Sequence, residues 1–151
     1  MITFRKAHLL DAEEIIRLIA EYADEGLMLP RTLNSVYEGI WEYSLALDEG
    51  RVVGVGGLHV TWHDLVEIRS LAVDKGYTGQ GIGARLVNIL LGEARSLKCP
   101  RAFTLTYQVG FFEKLGFCLT QKEDMPHKVW KECLNCVKFP NCDENAMVKV
   151  L

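Results

Sequence analysis

"VDKGYTGQGIGARLV", Val73 to Val87, is the stretch on which the reading of this chain turns. Gly79, Gly81 and Gly83 stand at alternate positions, and apolar residues at helical spacing follow at once. Each glycine in a helix costs up to about 1 kcal/mol relative to alanine. Three at a helix start make sense where something must approach the backbone. The free N–H groups and the positive dipole end there favour an anion. A Walker loop would close on Gly-Lys-Ser/Thr, but Ile82-Gly83-Ala84 stands in that place. A dinucleotide fingerprint matches Gly79 to Ala84 by letter. Its context is wrong, because "DKGYT" separates the glycines from the strand and "RAFTLT" carries no acidic ribose partner. A glycine-rich turn without a ligand is the plain alternative.

Working outward, "ITFRKA" alternates as a first strand. Asp11 is placed to cap a helix whose Ala12, Ile15, Ile16, Ile19, Ala20 and Ala23 share a face, with Gly26 at its end. After the loop "LMLP", Thr32 caps a second helix running through Val36, Ile40 and Trp41. "YSLAL", the turn "DEG" and "RVVGVGGLHV" read as a hairpin, where Gly54, Gly56 and Gly57 mark a bulge or a close approach. "DLVEIRSLAV" is the next strand, and the long helix follows with Ile82, Leu86, Ile89, Leu90 and Ala94 as its stripe. "RAFTLT" is a strand and "GFFEKLGF" a short helix stopped by Gly116. A less regular tail precedes a closing strand, "NAMVKVL". The order β-α-α-β-β-β-α-β-α-β predicts an α+β fold around one mixed sheet, in a single domain over residues 1–151.

The composition sets an ordinary frame. The 151 residues are 49% apolar and 25% charged with a net charge of −3, so no basic field points to nucleic acid or to an anionic membrane. No apolar run is long enough to span a bilayer, and "MITFRKAHLL" lacks the order of a signal peptide. Five cysteines in such a chain lead to the expectation of a reducing cytoplasm.

"SLAVDKGYTGQGIGARLVNILL" resembles the acetyl-CoA signature of the GNAT superfamily of N-acetyltransferases, in which a strand ending "sLaVdp" leads to Arg/Gln-x-x-Gly-x-Gly/Ala at a helix start. Gly81 and Gly83 match, while Thr78 replaces the usual Arg or Gln. "FFEKLGF", Phe111 to Phe117, resembles the second signature, "fYekLGF". The resemblance runs from "ITFRKA" to "EKLGF" and implies the GNAT acyl-CoA N-acyltransferase fold with acetyl-CoA as cosubstrate. It further implies that Leu71, Ala72 and Val73 pair with the pantetheine arm. The amides of Gly79, Gln80, Gly81, Ile82, Gly83 and Ala84 would cradle the pyrophosphate, with Thr78 and Phe112 beside the cofactor.

Acetylation of an amine needs a base, because the free amine is mostly protonated at neutral pH. Related acetyltransferases carry a glutamate in "aEI.sLaV", which is Glu67 in "VEIRSLAV". Alternation puts Glu67, Arg69, Leu71 and Val73 on one face unless a bulge intervenes. The alternative for Glu67 is an exposed strand carboxylate paired with Arg69 or Lys75. The family's acid is often the tyrosine of "fYekLGF". Phe112 stands there and cannot donate a proton, so Thr106 and Tyr107 are the nearby substitutes.

"GLMLPRTLNSVYEGI" resembles a segment of the acetyltransferase domain of N-acetylglutamate synthases. The tail "MPHKVWKECLNCVKFPNCDENAM" is similar to that of short single-domain bacterial members. This narrower resemblance implies L-glutamate as acceptor in the step that opens arginine biosynthesis, by direct attack in a ternary complex. Arg31, Arg69 and Lys128 are then the cations available for its carboxylates, with a solvated loop arginine the alternative for Arg31 and a plain surface role the alternative for Lys128. A homodimer is an open assembly. Cys133, Cys136 and Cys142 give C-x-x-C plus one, a ligand short of tetrahedral zinc, so reduced thiols are expected ahead of a disulfide or zinc, and no metal is assigned. His59 and His63 read as packing or surface residues, and Trp130 as a packed anchor. Two further readings stay open: a GNAT enzyme for another amine, such as a protein N-terminus or a polyamine, and an acyl-CoA-binding sensor without catalysis.

Overall fold

The computed structural model describes residues 1–121 and 144–151. Among these residues, one seven-stranded sheet runs in the order β1-β2-β3-β4-β5-β7-β6. Its strands are β1 Ile2–Lys6, β2 Tyr43–Asp48, β3 Arg51–Trp62, β4 Leu65–Val73, β5 Arg101–Thr106, β6 Cys118–Thr120 and β7 Asn145–Val150. Neighbours pair antiparallel except β4 with β5, which run parallel. Helices α1, Ala12–Ala23, and α2, Leu33–Glu38, cover one face. Helices α3, Ile82–Ser96, and α4, Val109–Lys114, cover the other. The α+β expectation and the element order hold, with β6 added between α4 and β7.

Both faces follow from strand alternation. Tyr43, Leu45 and Leu47 of β2 and Ala72 of β4 pack beneath Ile15, Leu18 and Ile19 of α1. Ala46, Val53, Leu58 and Ile68 turn the other way, against Ile82, Leu86 and Leu90 of α3. Fully burying a side chain of this size contributes roughly 1.5–3 kcal/mol, so the two layers hold the sheet as a stiff platform.

Several local expectations are corrected. Asp11 does not cap α1 through its side chain. Its carboxylate turns back to accept from Arg5 at 2.7 and 3.0 Å and from the His8 N–H at 2.8 Å. The charge-assisted fork with a strand arginine outcompetes a neutral cap. Thr32 does cap α2, accepting from the Ser35 N–H at 3.0 Å. That helix stops at Glu38, however, and Ile40–Glu42 form a 3-10 turn that leaves Trp41 82% exposed. Ile89 lies at the rim of the α3 stripe and is partly exposed, while Val87 and Leu91 complete the buried face. Gly116 has φ +93, the left-handed stop expected of it.

Two bulges in the β3–β4 ladder decide what faces what. Trp62 lies opposite Leu65 but Val60 opposite Val66, so β3 carries an extra residue at Thr61. Further along, Arg69 lies opposite Gly57 but Ala72 opposite Val55, so β4 carries an extra residue there, with Ser70 at φ +55. The second bulge reverses the alternation. Glu67 and Arg69 therefore share the α1/α2 face, whereas Leu71 and Val73 pack against α3. The single face expected for these four residues is divided at Ser70.

Candidate active site

The parallel pairing of β4 with β5 covers only Val66 with Ala102 and Glu67 with Phe103. Beyond it the strands separate. The buried hydroxyl of Thr104 donates to the Ile68 carbonyl at 2.9 Å, where the ladder stops. The Asp74 N–H donates to the Val53 carbonyl at 2.8 Å. Gly54 and Val73 are then a non-hydrogen-bonded pair, and the backbone groups of Val73 point away from β3 into the split. The Tyr22 hydroxyl of α1 donates to that Val73 carbonyl. Ala72, one residue earlier, alternates toward β3 opposite Val55. Of the three strand-end residues expected to offer backbone groups, the geometry turns Val73 outward and Ala72 inward, while Leu71 lies in the bulge.

From β4 the chain passes through a pinned loop. Asp74 accepts from the Gly76 N–H at 2.9 Å, and the Tyr77 hydroxyl donates to Asp48 at 2.7 Å. Thr78, Gly79, Gln80 and Gly81 are exposed. Gly79 and Gly81 have φ +80 and +79, and a Cβ on either would meet nothing within 4 Å. Gly81 is the N-cap of α3 and brings no side chain to its amides. The first helical bond there is Arg85 N–H to the Gly81 carbonyl, so the N–H groups of Ile82, Gly83 and Ala84 emerge toward the loop. Left-handed turns at a helix start make an anion-binding concavity. Gly83 differs from the other two. It faces inward, where a Cβ would sit 3.3 Å from the Phe111 ring.

On the α1/α2 face, one row crosses three strands: Tyr43 opposite Gly57, and Gly57 opposite Arg69. In the next row His59 lies opposite Glu67. Gly57 has to be small, since a Cβ there would stand 3.3 Å from both the Tyr43 ring and the Arg69 carbonyl. Glu42, at the end of the 3-10 turn, reaches over both rows. It accepts from Arg69 Nη2 at 3.1 Å and meets His59 Nδ1 at 2.8 Å. Arg69 in turn lies 3.7 Å from Glu67. Arg69 and Glu67 have side chains only 12% and 17% exposed, so the pairing predicted for Glu67 is present but half-sheltered. Lys75, the other partner considered for it, holds Glu25.

Burial opposes the charge on Glu42, but the His59 hydrogen bond and the Arg69 guanidinium outweigh it and hold the carboxyl below the usual carboxylate range. Burial pushes the Tyr43 phenol up, opposed by the nearby charges of Arg31 and Arg69. Arg31 lies on the loop between α1 and α2, and its charge acts on the same phenol as that of Arg69. Lys128, His127, Trp130 and the cysteines 133, 136 and 142 lie outside the described residues. Among those described, Cys99 and Cys118 are free thiols.

The remaining candidates fall around α4. Tyr107 is half-buried in the turn that follows β5. Thr106 is buried, and its hydroxyl accepts from the Gln108 N–H at 2.8 Å, bracing that turn. Phe112 is buried at 4% exposure, edge-on to Phe111 and Phe117, which is the place of a core side chain. Sequence reading missed Glu42 and Tyr43 and took His59 for packing or surface. The signal available was the Gly56-Gly57 pair, which marks a close approach to the strand.

The acetyltransferase (GNAT) family model matches residues 10–117. An uncharacterized N-acetyltransferase of Chlorobaculum tepidum is 39% identical over 147 residues, covering 97% of this chain and 95% of that protein. An amino-acid acetyltransferase of Mycobacterium tuberculosis is 42% identical over 125 residues, covering 81% and 70%. Among solved structures, a Mycobacterium tuberculosis protein in complex with CoA and NLQ superposes with a TM-score of 0.85 at 34% identity, over 99% of both chains. N-acetylglutamate synthase of Neisseria gonorrhoeae, complexed with coenzyme A and N-acetyl-glutamate, superposes at 0.90 with 25% identity, over 100% of this chain and 35% of that one. No helix among the described residues is long and apolar enough to cross a membrane.

Proposed function

The chain belongs to the acetyltransferase (GNAT) family and is an acetyl-CoA-dependent N-acetyltransferase, and from that premise we propose that its acceptor is the α-amine of L-glutamate. The observation that carries this reading is the largely buried Arg69 guanidinium, held by Glu42 in the row it shares with Gly57 and Tyr43, on the face next to the β4–β5 split; Arg31 is the second cation that acts on the Tyr43 phenol. Glutamate brings two carboxylates, and arginine forks match carboxylates bidentately. The likeness to an amino-acid acetyltransferase supports an amino-acid acceptor, and the likeness to an N-acetylglutamate synthase supports glutamate among them. Such a reaction would open arginine biosynthesis.

Acetyl-CoA supplies an activated thioester. The residues present fit it: left-handed Gly79 and Gly81 with open space above them, uncapped amides from Ile82 to Ala84, and an outward-facing strand edge at Val73. In this reading Gln80 and Thr78 flank the phosphates. Gly83 lets the helix sit close against Phe111, and Phe112 supports the site from within the core. Glu67, at the last paired position before the split, takes the amine proton through a water, so that the lone pair can attack directly in a ternary complex. Of the two acid candidates we favour Tyr107, because the Thr106 hydroxyl is buried while Tyr107 is half-buried in the turn that follows β5.

The test is steady-state acetylation by the purified protein with L-glutamate, L-glutamine, a polyamine and a peptide N-terminus. The expected result is a kcat/KM for glutamate on the order of tenfold or more above that for glutamine, because only glutamate brings the second carboxylate. A higher value for glutamine, polyamine or peptide overturns the glutamate reading.

A further inference from the structure

Glu42 belongs to no motif, yet it ties two strands of the candidate site together. It ends the 3-10 turn Ile40–Glu42, and Tyr43 behind it is anchored in the core at 2% exposure. Its backbone is therefore fixed while its carboxylate reaches across the sheet. One oxygen accepts from Arg69 Nη2 at 3.1 Å, and the other meets His59 Nδ1 at 2.8 Å. A carboxylate that engages two partners with separate oxygens holds both in one geometry. The floor beneath is cut to match. Gly57, opposite both Tyr43 and Arg69, leaves the space that a side chain would take from them.

We propose that Glu42 is a positioning residue for acceptor recognition: by bridging His59 and Arg69, it holds the Arg69 guanidinium in the orientation that receives a carboxylate of the acceptor. This rests on the glutamate reading above. Glu67, 3.7 Å from Arg69, restrains the same guanidinium from its own strand. Glu42 restrains it from outside the β3–β4 ladder, so the arginine is fixed from two elements. A flexible guanidinium would have to be ordered at every binding event, and that cost would appear in substrate affinity.

Glu42→Met keeps the length of the side chain but carries no oxygen to accept from Arg69 or to meet His59. The KM for glutamate is expected to rise about tenfold. The kcat and the KM for acetyl-CoA are expected to stay within about twofold of wild type. A brace that only stabilises the fold would lower the melting temperature without this split. An electrostatic role alone has the opposite sign, since removing a negative charge near the site would lower the KM for an anionic acceptor. In an Arg69→Lys background, where the fork is already lost, Glu42→Met should add little further change. An unchanged or lower KM for glutamate, or additive effects in the double variant, overturns the proposal while leaving the glutamate reading intact. A wild-type preference for an acceptor without a second carboxylate overturns both.

Discussion

At Gly81 the backbone turns left-handed, with φ +79, immediately ahead of an uncapped helix, and open space lies where a side chain would begin. Gly79 repeats this conformation with φ +80. Gly83 is a glycine for another reason, the 3.3 Å approach of the Phe111 ring. The sequence showed three equivalent glycines, because neither a φ angle nor a helix–helix contact is written in letters. The difference matters for testing the site. A β-branched residue at 81 would strain the backbone and confuse folding with binding, since left-handed geometry costs an ordinary residue about 1–2 kcal/mol. Asparagine tolerates that geometry far better. We therefore expect Gly81→Asn to keep a melting temperature close to wild type and to lose acetyl-CoA affinity on the order of tenfold, about 1.4 kcal/mol. Calorimetric titration beside thermal unfolding measures both, and full affinity in the folded variant would remove Gly81 from the phosphate cradle.

The next scale is the strand pair, where much of the site is made and least was legible. Periodicity and turn residues located each strand and the long helix, and the resemblance pointed to the strand end from Leu71 to Val73 as the cofactor's edge. The register of β3 on β4 could not be read. Without the bulge at Thr61, the two-residue turn His63-Asp64 would set Glu67 opposite Val60 and Arg69 opposite Leu58, an apolar surrounding. With it, Glu67 faces His59 and Arg69 faces Gly57. An inserted residue leaves no mark in a sequence until the ladder forms. Glu42 was invisible for a related reason, because its partners lie on strands joined to it only in three dimensions. Thr104 terminates the β4–β5 pairing by giving its hydroxyl to the Ile68 carbonyl in a buried setting. Thr104→Val has nearly the same shape and leaves that carbonyl unsatisfied, which costs roughly 1–3 kcal/mol. Urea unfolding should show that loss, with faster amide exchange along β4 beyond Ile68. No change in either would mean that the hydroxyl does not hold the split.

Across the whole molecule, the covering helices are tied to the sheet by a few charged contacts as well as by the core. Lys6 of β1 and Ser44 of β2 both reach Glu93 of α3, at 3.1–3.2 Å. Arg5 of β1 holds Asp11, which ends the turn leading into α1. The Arg5 hydrogen bond holds the Asp11 carboxyl below its ordinary range, against the opposing cost of burial. A carboxyl depressed in the folded state contributes stability that is complete above its unfolded value, near 4, and is lost as pH falls through the folded value. Glu42 acts in the same direction. The fold should therefore keep its stability from neutral pH down to about 4 and lose it progressively below. Asp11→Asn removes the charge while keeping an oxygen for the His8 N–H. Because Arg5 is 39% exposed and partly screened by solvent, the expected loss at neutral pH is modest, about 1–2 kcal/mol. The gap to wild type should then close as the solution is acidified, since the protonated Asp11 carboxyl and the amide that replaces it are nearly equivalent. Urea unfolding of both proteins from pH 7 downward measures this, and a gap that stays constant through the acid range would show that the Arg5–Asp11 pair is not what α1 depends on.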